Sequence, residues 1–347
     1  DPAARQVALE DPRGFLSRYR GPVIIDEAQY APELFSYIQL IVDDERRPGR
    51  FILTGSQNFL LLERITQSLA GRTGVLHLLP FTLDELRGRP LRPPELTLDS
   101  SPGDAESFRR DDLYEVMRAG FYPPLHDRDI EPRDFYASYV ETYLARDVRS
   151  IVNVGNLAAF QRFLSLVAAR NGQLLNFSAL ASDADIAQPT ARRWLSVLEA
   201  SFVVALLPAH HMNFRKRLVK APKLTFLDIG LACYLMQIYS AEELDLHPQR
   251  GALFEGFVVA ELLKRAHHAG YKPRLCHWRD SSGLEVDVVV DRGLRQIPIE
   301  VKSSQTFRPE QTRNLAYWRK LAGERAQGAG LIYAGDQDML VSGVRVM

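Results

Sequence analysis

Cysteine is scarce in this sequence: Cys233 and Cys276 are the only two in 347 residues, and they stand in unrelated segments. Two isolated thiols make neither a disulfide framework nor a metal-ligand spacing, and they fit a reducing, cytoplasmic setting. No apolar run reaches membrane-spanning length and the first residues carry no signal-peptide pattern, so no membrane partner is expected. Net charge is lacking too, since Lys+Arg and Asp+Glu number 43 each. Any nucleic-acid partner must therefore be met by a local basic patch. One short motif is also absent. No lysine directly follows a glycine, so the Gly-Lys-Ser/Thr step of a phosphate-cradling loop does not occur.

What remains is ordinary globular material, 46% hydrophobic and 25% charged, in a length suited to two or three domains. The stretch Gly21–Gln29 reads GPVIIDEAQ. Val23, Ile24 and Ile25 predict a strand buried on both faces that delivers two adjacent acids, Asp26 and Glu27, at its end. The plain alternative is a strand followed by a helix capped by Asp26. A helical stretch, Glu33–Asp44, leads to a second apolar run, Phe51–Leu53, which ends in Thr54-Gly55-Ser56-Gln57. This is a βαβ unit, and ligands of such units gather at the carboxyl ends of the strands. A further helical pattern over 59–70 ends in Gly71-Arg72, and Leu76–Pro80 reads as another strand.

VIIDEAQ, FILTGSQ and SLAGRT resemble the Walker B, sensor 1 and arginine-bearing segments of bacterial and archaeal AAA-type ATPases. More narrowly, they resemble the STAND-like group that carries a C-terminal domain of unknown function. The resemblance implies Mg²⁺ and ATP as cofactors of the full-length protein. Asp26 would be the Mg²⁺ ligand, Glu27 the catalytic acid and Ser56 or Gln57 the polar sensor. Arg72 would contact the γ-phosphate of its own or a neighbouring subunit of a homo-oligomer. About twenty residues precede the first strand, whereas a strand, cradle and helix need about thirty or more. The N-terminal part of the ATPase domain is therefore expected to be absent, and this chain alone is not expected to bind ATP tightly.

Farther along, helix, turn, helix, strand, basic loop and strand follow one another over Ala158–Leu227, which is the order of a winged helix. In that reading Pro189–Ala200 is a recognition helix that buries Trp194, Val197 and Leu198 and leaves Arg192 and Arg193 outside. Arg215, Lys216, Arg217 and Lys220 make the wing. These six cations are the candidate DNA contacts. A lid or packing module is the alternative.

Near the C-terminus, Gly251–His267 predicts a helix with Glu261 on or beside its apolar stripe and Glu255 on a neighbouring face. LEVDVVV (284–290) and QIPIEVK (296–302) predict a hairpin around Asp291-Arg292-Gly293. Glu300 and Lys302 share a face of the second strand, and Asp287 of the first can meet Glu300 across the pair. Two acids, a lysine and a helix acid can hold Mg²⁺ and position a water; charge pairing on a surface hairpin is the alternative. The pattern resembles the PD-(D/E)XK nuclease superfamily. That implies Asp287, Glu300 and Lys302 as the catalytic set, with Glu261 or Glu255 as the helix acid, and many members of that superfamily keep the fold without catalysis. Gln311 is a further candidate.

The expected fold class is thus α/β multidomain. A partial P-loop NTPase (AAA-type) sheet fills 1–86, a linker 87–112, a helical and winged-helix domain 113–240 and a restriction-endonuclease-like α/β domain 241–347. The expected function is an ATPase-family protein coupled to a DNA-binding, nuclease-like region. The other reading is a non-catalytic regulator that keeps both folds.

Overall fold

A computed structural model describes residues 1–55, 68–90, 110–144, 157–210, 219–272 and 274–347. The chain divides into two compact units, Asp1–Val75 and Leu76–Met347.

The first unit opens with two short helices, Pro2–Glu10 and Pro12–Ser17, each with an aspartate cap and a proline in its first turn. Strand β1 (Val23–Ile25), helix Glu33–Glu45 and strand β2 (Phe51–Leu53) follow as the expected βαβ unit, with β1 and β2 parallel in the register Ile24↔Ile52. Leu34, Phe35 and Ile38 lie three and four residues apart on one face of the helix, and they bury against Ala8, Leu16, Ala28 and Leu69. The strands are not buried on both faces as their apolar run predicts. Side chains alternate along a strand, so Ile25, Phe51 and Leu53 pack against this core, and the opposite face leaves Ile24 66% and Ile52 53% exposed.

The second unit begins at Leu76, where the predicted strand over 76–80 is irregular. This segment belongs to the second unit because its polar groups are satisfied there: Phe81 donates to Phe121 O at 2.9 Å, and Lys264 Nζ donates to Phe81 O at 2.6 Å. Most of the expected linker falls in 91–109, outside the described residues.

Helices Leu157–Ala168, Phe177–Ala184 and Gln188–Ala200 pack through Phe160, Phe163 and Trp194, whose rings meet edge to face at 5.3 and 5.4 Å. Strand β3 (Val204–Leu207) then pairs antiparallel with β4 (Lys223–Phe226) in the register Ala205↔Thr225. On its other side β4 meets Leu174, with Gly172 donating to Leu224 O at 2.7 Å. At the start of helix Ile229–Leu235, Asp228 accepts from Leu231 N, Phe121 N and Tyr136 Oη at 2.9, 2.7 and 2.6 Å. This buried cap ties three segments together.

The long helix Arg250–His268 leads into a six-stranded sheet of order β5-β6-β7-β8-β10-β9. Its strands are β5 (Leu275–Arg279), β6 (Glu285–Asp291), β7 (Gln296–Lys302), β8 (Gly330–Tyr333), β9 (Met339–Val341) and β10 (Val344–Val346). The predicted hairpin joins β6 and β7, with Gly293 at φ +80° in its turn. Leu253, Phe254, Phe257 and Val258 of the long helix share a core with Val288, Val290, Ile297 and Ile299. On the opposite face Leu315 and Trp318 of helix Arg313–Ala322 pack with Trp278, Val289 and Leu331. Cover on both faces explains why β6 and β7 read as nearly unbroken apolar runs.

Candidate functional site

The acids at the start of β6 and the end of β7 line an open cleft of about 560 Å³ together with Glu255, Lys223, Arg279 and the turn Gly172–Leu174. Two parts of the second unit therefore build it, the C-terminal sheet with its long helix and the helical module that carries β4.

The ladder between β6 and β7 runs from Asp291↔Gln296 to Val288↔Ile299 and has no paired residues beyond. At that point the side chain of Asp287 takes over: its Oδ2 accepts from Val301 N at 2.8 Å. Lys302 stands above it, with Nζ 2.6 Å from Glu300 Oε1 and 3.7 Å from Asp287 Oδ2. Asp287, Glu300 and Lys302 are thus brought together. Glu300 is 4% exposed, and its Oε2 is buried with no hydrogen-bond partner.

The helix acid of the cleft is Glu255, and the expectation for Glu261 needs correction. These residues are six apart, and at 3.6 residues per turn that places them on different faces. Glu261 points the other way, where it pairs with Lys264 at 2.5 Å and accepts from Leu83 N at 2.9 Å. Gln311 is also turned aside, donating to Ser304 Oγ at 2.8 Å.

Lys223 is the participant that sequence reasoning missed. It falls between the basic loop and the apolar strand and belongs to the pattern of neither. In the fold it is 3% exposed. Its ammonium lies 2.6 Å from Glu255 Oε1 and 3.6 Å from Asp287 Oδ1, and it is paired with Glu285 as well. Arg279 pairs with Glu285 from the rim at 3.2 Å.

The electrostatics follow from burial and crowding. Burial, and then the neighbouring Asp287 carboxylate, push Glu300 up to about 8 against the pull of Lys302. Burial and Asp287 push Glu255 up to about 7 against Lys223. Burial opposes both lysine charges, but the surrounding carboxylates outweigh it and hold Lys223 and Lys302 above the ordinary lysine range. The all-oxygen donor set and the orphaned Glu300 oxygen suit a hard divalent cation such as Mg²⁺. Among the described residues, however, no three His, Cys, Asp or Glu are gathered closely enough to hold a metal ion as they stand. The two ammonium groups occupy the space between the acids.

In the first unit, Asp26 lies at the end of β1 and accepts from the hydroxyl of Thr54 at the end of β2. It is exposed, on the same outward face as Ile24. Glu27 follows in the left-handed region at φ 52°, with its Oε2 accepting from Gln29 Nε2 at 2.5 Å. Arg72 forms a two-pronged pair with Asp43, at 2.5 and 3.0 Å. Ser56 and Gln57 lie outside the described residues.

Of the six candidate DNA contacts, Arg192, Arg193 and Lys220 are exposed. Arg192 stacks over the Phe177 ring at 4.1 Å. Arg215, Lys216 and Arg217 lie outside the described residues.

Comparison with known proteins matches three segments of the chain to families. Residues 1–87 match an AAA domain family, residues 110–242 a domain of unknown function (DUF8612) and residues 250–347 another domain of unknown function (DUF4143). An uncharacterized protein of Mycobacterium tuberculosis and one of Mycobacterium bovis are each 32% identical to the chain over 299 residues, 86% of its length. The chain spans 62% of the length of these curated relatives. No solved structure matches it. The N-terminal segment is thus AAA-like, which supports an ATPase-like family and, in general terms, the use of a nucleotide with Mg²⁺. Among the described residues no helix is long and apolar enough to cross a membrane.

Proposed function

We propose that this protein couples an AAA-type nucleotide-responsive segment to a nuclease-like cleft that engages DNA. The observation that carries the reading is Lys302, whose ammonium bridges Glu300 at 2.6 Å and Asp287 at 3.7 Å at the end of a covered mixed sheet. An acid, an acid two residues before a lysine, and that lysine in one cleft are the parts that phosphodiester hydrolysis needs. Asp287, Glu300 and Glu255 would hold a divalent cation, which when bound supplies Lewis-acid polarisation of a phosphate. Lys302 would hold the phosphate or an attacking water by hydrogen bonds from its ammonium.

On the nucleotide side, Asp26 and Glu27 would face Mg²⁺ and the terminal phosphate, with Ser56 or Gln57 as sensor and Arg72 as the cationic contact within or between subunits. Arg192, Arg193, Arg215, Lys216, Arg217 and Lys220 would bind the DNA backbone from a winged-helix arrangement of the three helices and β3–β4. Exposure of Arg192, Arg193 and Lys220 supports this.

A second reading is favoured by one observation. Lys223 fills the space among Glu255, Glu285 and Asp287, as in a regulator that keeps the nuclease-like frame without catalysis. Incubation of plasmid and single-stranded DNA with the protein and Mg²⁺ or Mn²⁺ separates the two. Cleavage that Lys302→Ala abolishes supports the first. No cleavage by the unaltered protein under either metal leaves the second.

A further inference from the structure

The inner end of β4 presents a lysine where a cation site would have its ion. Three carboxylates converge on Lys223 Nζ: Glu255 from the long helix at 2.6 Å, Asp287 from β6 at 3.6 Å, and Glu285, also from β6, in direct contact. An independent observation concerns Glu300. Its side chain lines the same cleft and is 5% exposed, and one of its oxygens is bound by Lys302 while the other is buried without a partner. A carboxylate oxygen removed from water with nothing to accept is costly, and in an otherwise satisfied cleft it marks a place for one more positive group.

We propose that Lys223 is the resident cation of the cleft, an intramolecular ammonium standing where a divalent metal ion would otherwise bind, so that the cleft excludes metal while Lys223 stays in place. This rests on reading the cleft as a nuclease-like cation site. A divalent ion a few ångströms from a buried ammonium is strongly repelled, because burial weakens the screening between them. The acids cannot serve both, since Glu255 and Asp287 are already turned toward Lys223.

The fold holds the backbone that carries Lys223 in place on both sides. The segment before β4 is fixed to the long helix by Asn171, which donates to Ala252 O and accepts from Phe226 N, both at 2.9 Å. The segment after β3 is fixed to β5, with His210 donating to His277 O at 2.7 Å and His277 donating to Pro208 O at 2.9 Å.

The test uses the full chain with Mn²⁺ as probe, followed by calorimetry and by the shift in melting temperature. The proteins are the unaltered chain, Lys223→Met, Lys223→Met/Glu285→Gln and Lys223→Met/Asp287→Asn. The double change at 223 and 285 removes one charge of each sign and supplies the comparison if Lys223→Met alone does not fold. The expected result is weak binding to the unaltered chain and one Mn²⁺ bound about tenfold or more tightly once Lys223 is gone. That gain should disappear with Asp287→Asn. If the unaltered chain binds one Mn²⁺ as tightly as the folded Lys223 variants, the inference is overturned while the cation-site reading stands. If no folded variant binds, the cation-site reading itself falls, and the inference falls with it.

Discussion

The Asp287 carboxylate accepts from the backbone amide of Val301 at 2.8 Å, just past the last paired residues of the β6–β7 ladder. One side chain thus serves as a ladder acceptor and as the anion between two lysines, Lys223 at 3.6 Å and Lys302 at 3.7 Å. Asp287→Ala should leave Val301 N unpaired and both cations short of an anion, at a cost of about 3–5 kcal/mol. Asp287→Asn keeps an acceptor for Val301 and should cost about 1–2 kcal/mol. Urea unfolding at neutral pH checks both. Equal losses would show that the amide contact contributes nothing.

Glu300 gives the cleft a pH dependence. Its folded pKa of about 8 lies above the ordinary 4.5, so the fold favours the protonated acid. Its contribution to stability is full below about pH 4.5 and is lost as pH rises through about 8. Glu255, pushed up to about 7, adds to the same trend. In chelator-containing buffer the urea midpoint should fall across this window, and Glu300→Gln should flatten the fall. A midpoint that rises with pH in the same way for both proteins would contradict this.

Gly120 and Gly230 pack where the Asp228 cap meets Tyr136. Gly120 has φ +83°, and a methyl there would run into Tyr136 Oη and lie 2.7 Å from Asp228 Oδ1. Gly120→Ala should therefore cost about 2–4 kcal/mol from backbone strain and overpacking together. Tyr136→Phe removes the hydroxyl in the way, so the double change should cost less than the sum of the two single changes. Thermal unfolding of the four proteins measures that coupling.

Helix Phe177–Ala184 ends at Asp185, which adopts φ 54°. Glycine meets that backbone without steric cost. Asp185→Gly should raise stability by about 0.5–1 kcal/mol, since the residue is exposed. A fall in melting temperature would show that the aspartate side chain makes a contribution of its own.

The apolar alternation and turn residues made the C-terminal hairpin legible, and β6, β7 and the convergence of Asp287, Glu300 and Lys302 lie where the strand period puts them. The helix acid was ambiguous for a physical reason. Glu255 and Glu261 both border an apolar stripe on different faces, and only the docking of the helix on the sheet decides which faces the cleft; Glu261 accepts from Leu83 N instead. Lys223 was invisible because its partners lie 32 to 64 positions away; no local period encodes such a contact. In the first unit, the run Val23–Ile25 implied two covered faces, but hydrophobicity alone does not say what covers a face, and Ile24 is open.

The backbone lacing between His210 and His277 has a bearing on how the polypeptide is divided for study. A cut placed in 243–249, between the two matched families, would part β4 and the Pro208–His210 segment from the long helix and β5. The C-terminal fragment would lose the neighbour of β5 and bare the inner side of its long helix, and its acids would face water with no opposing lysine from β4. Expressed alone, such a piece should clump or rearrange, so its chemistry would be that of an orphan and not of the intact cleft.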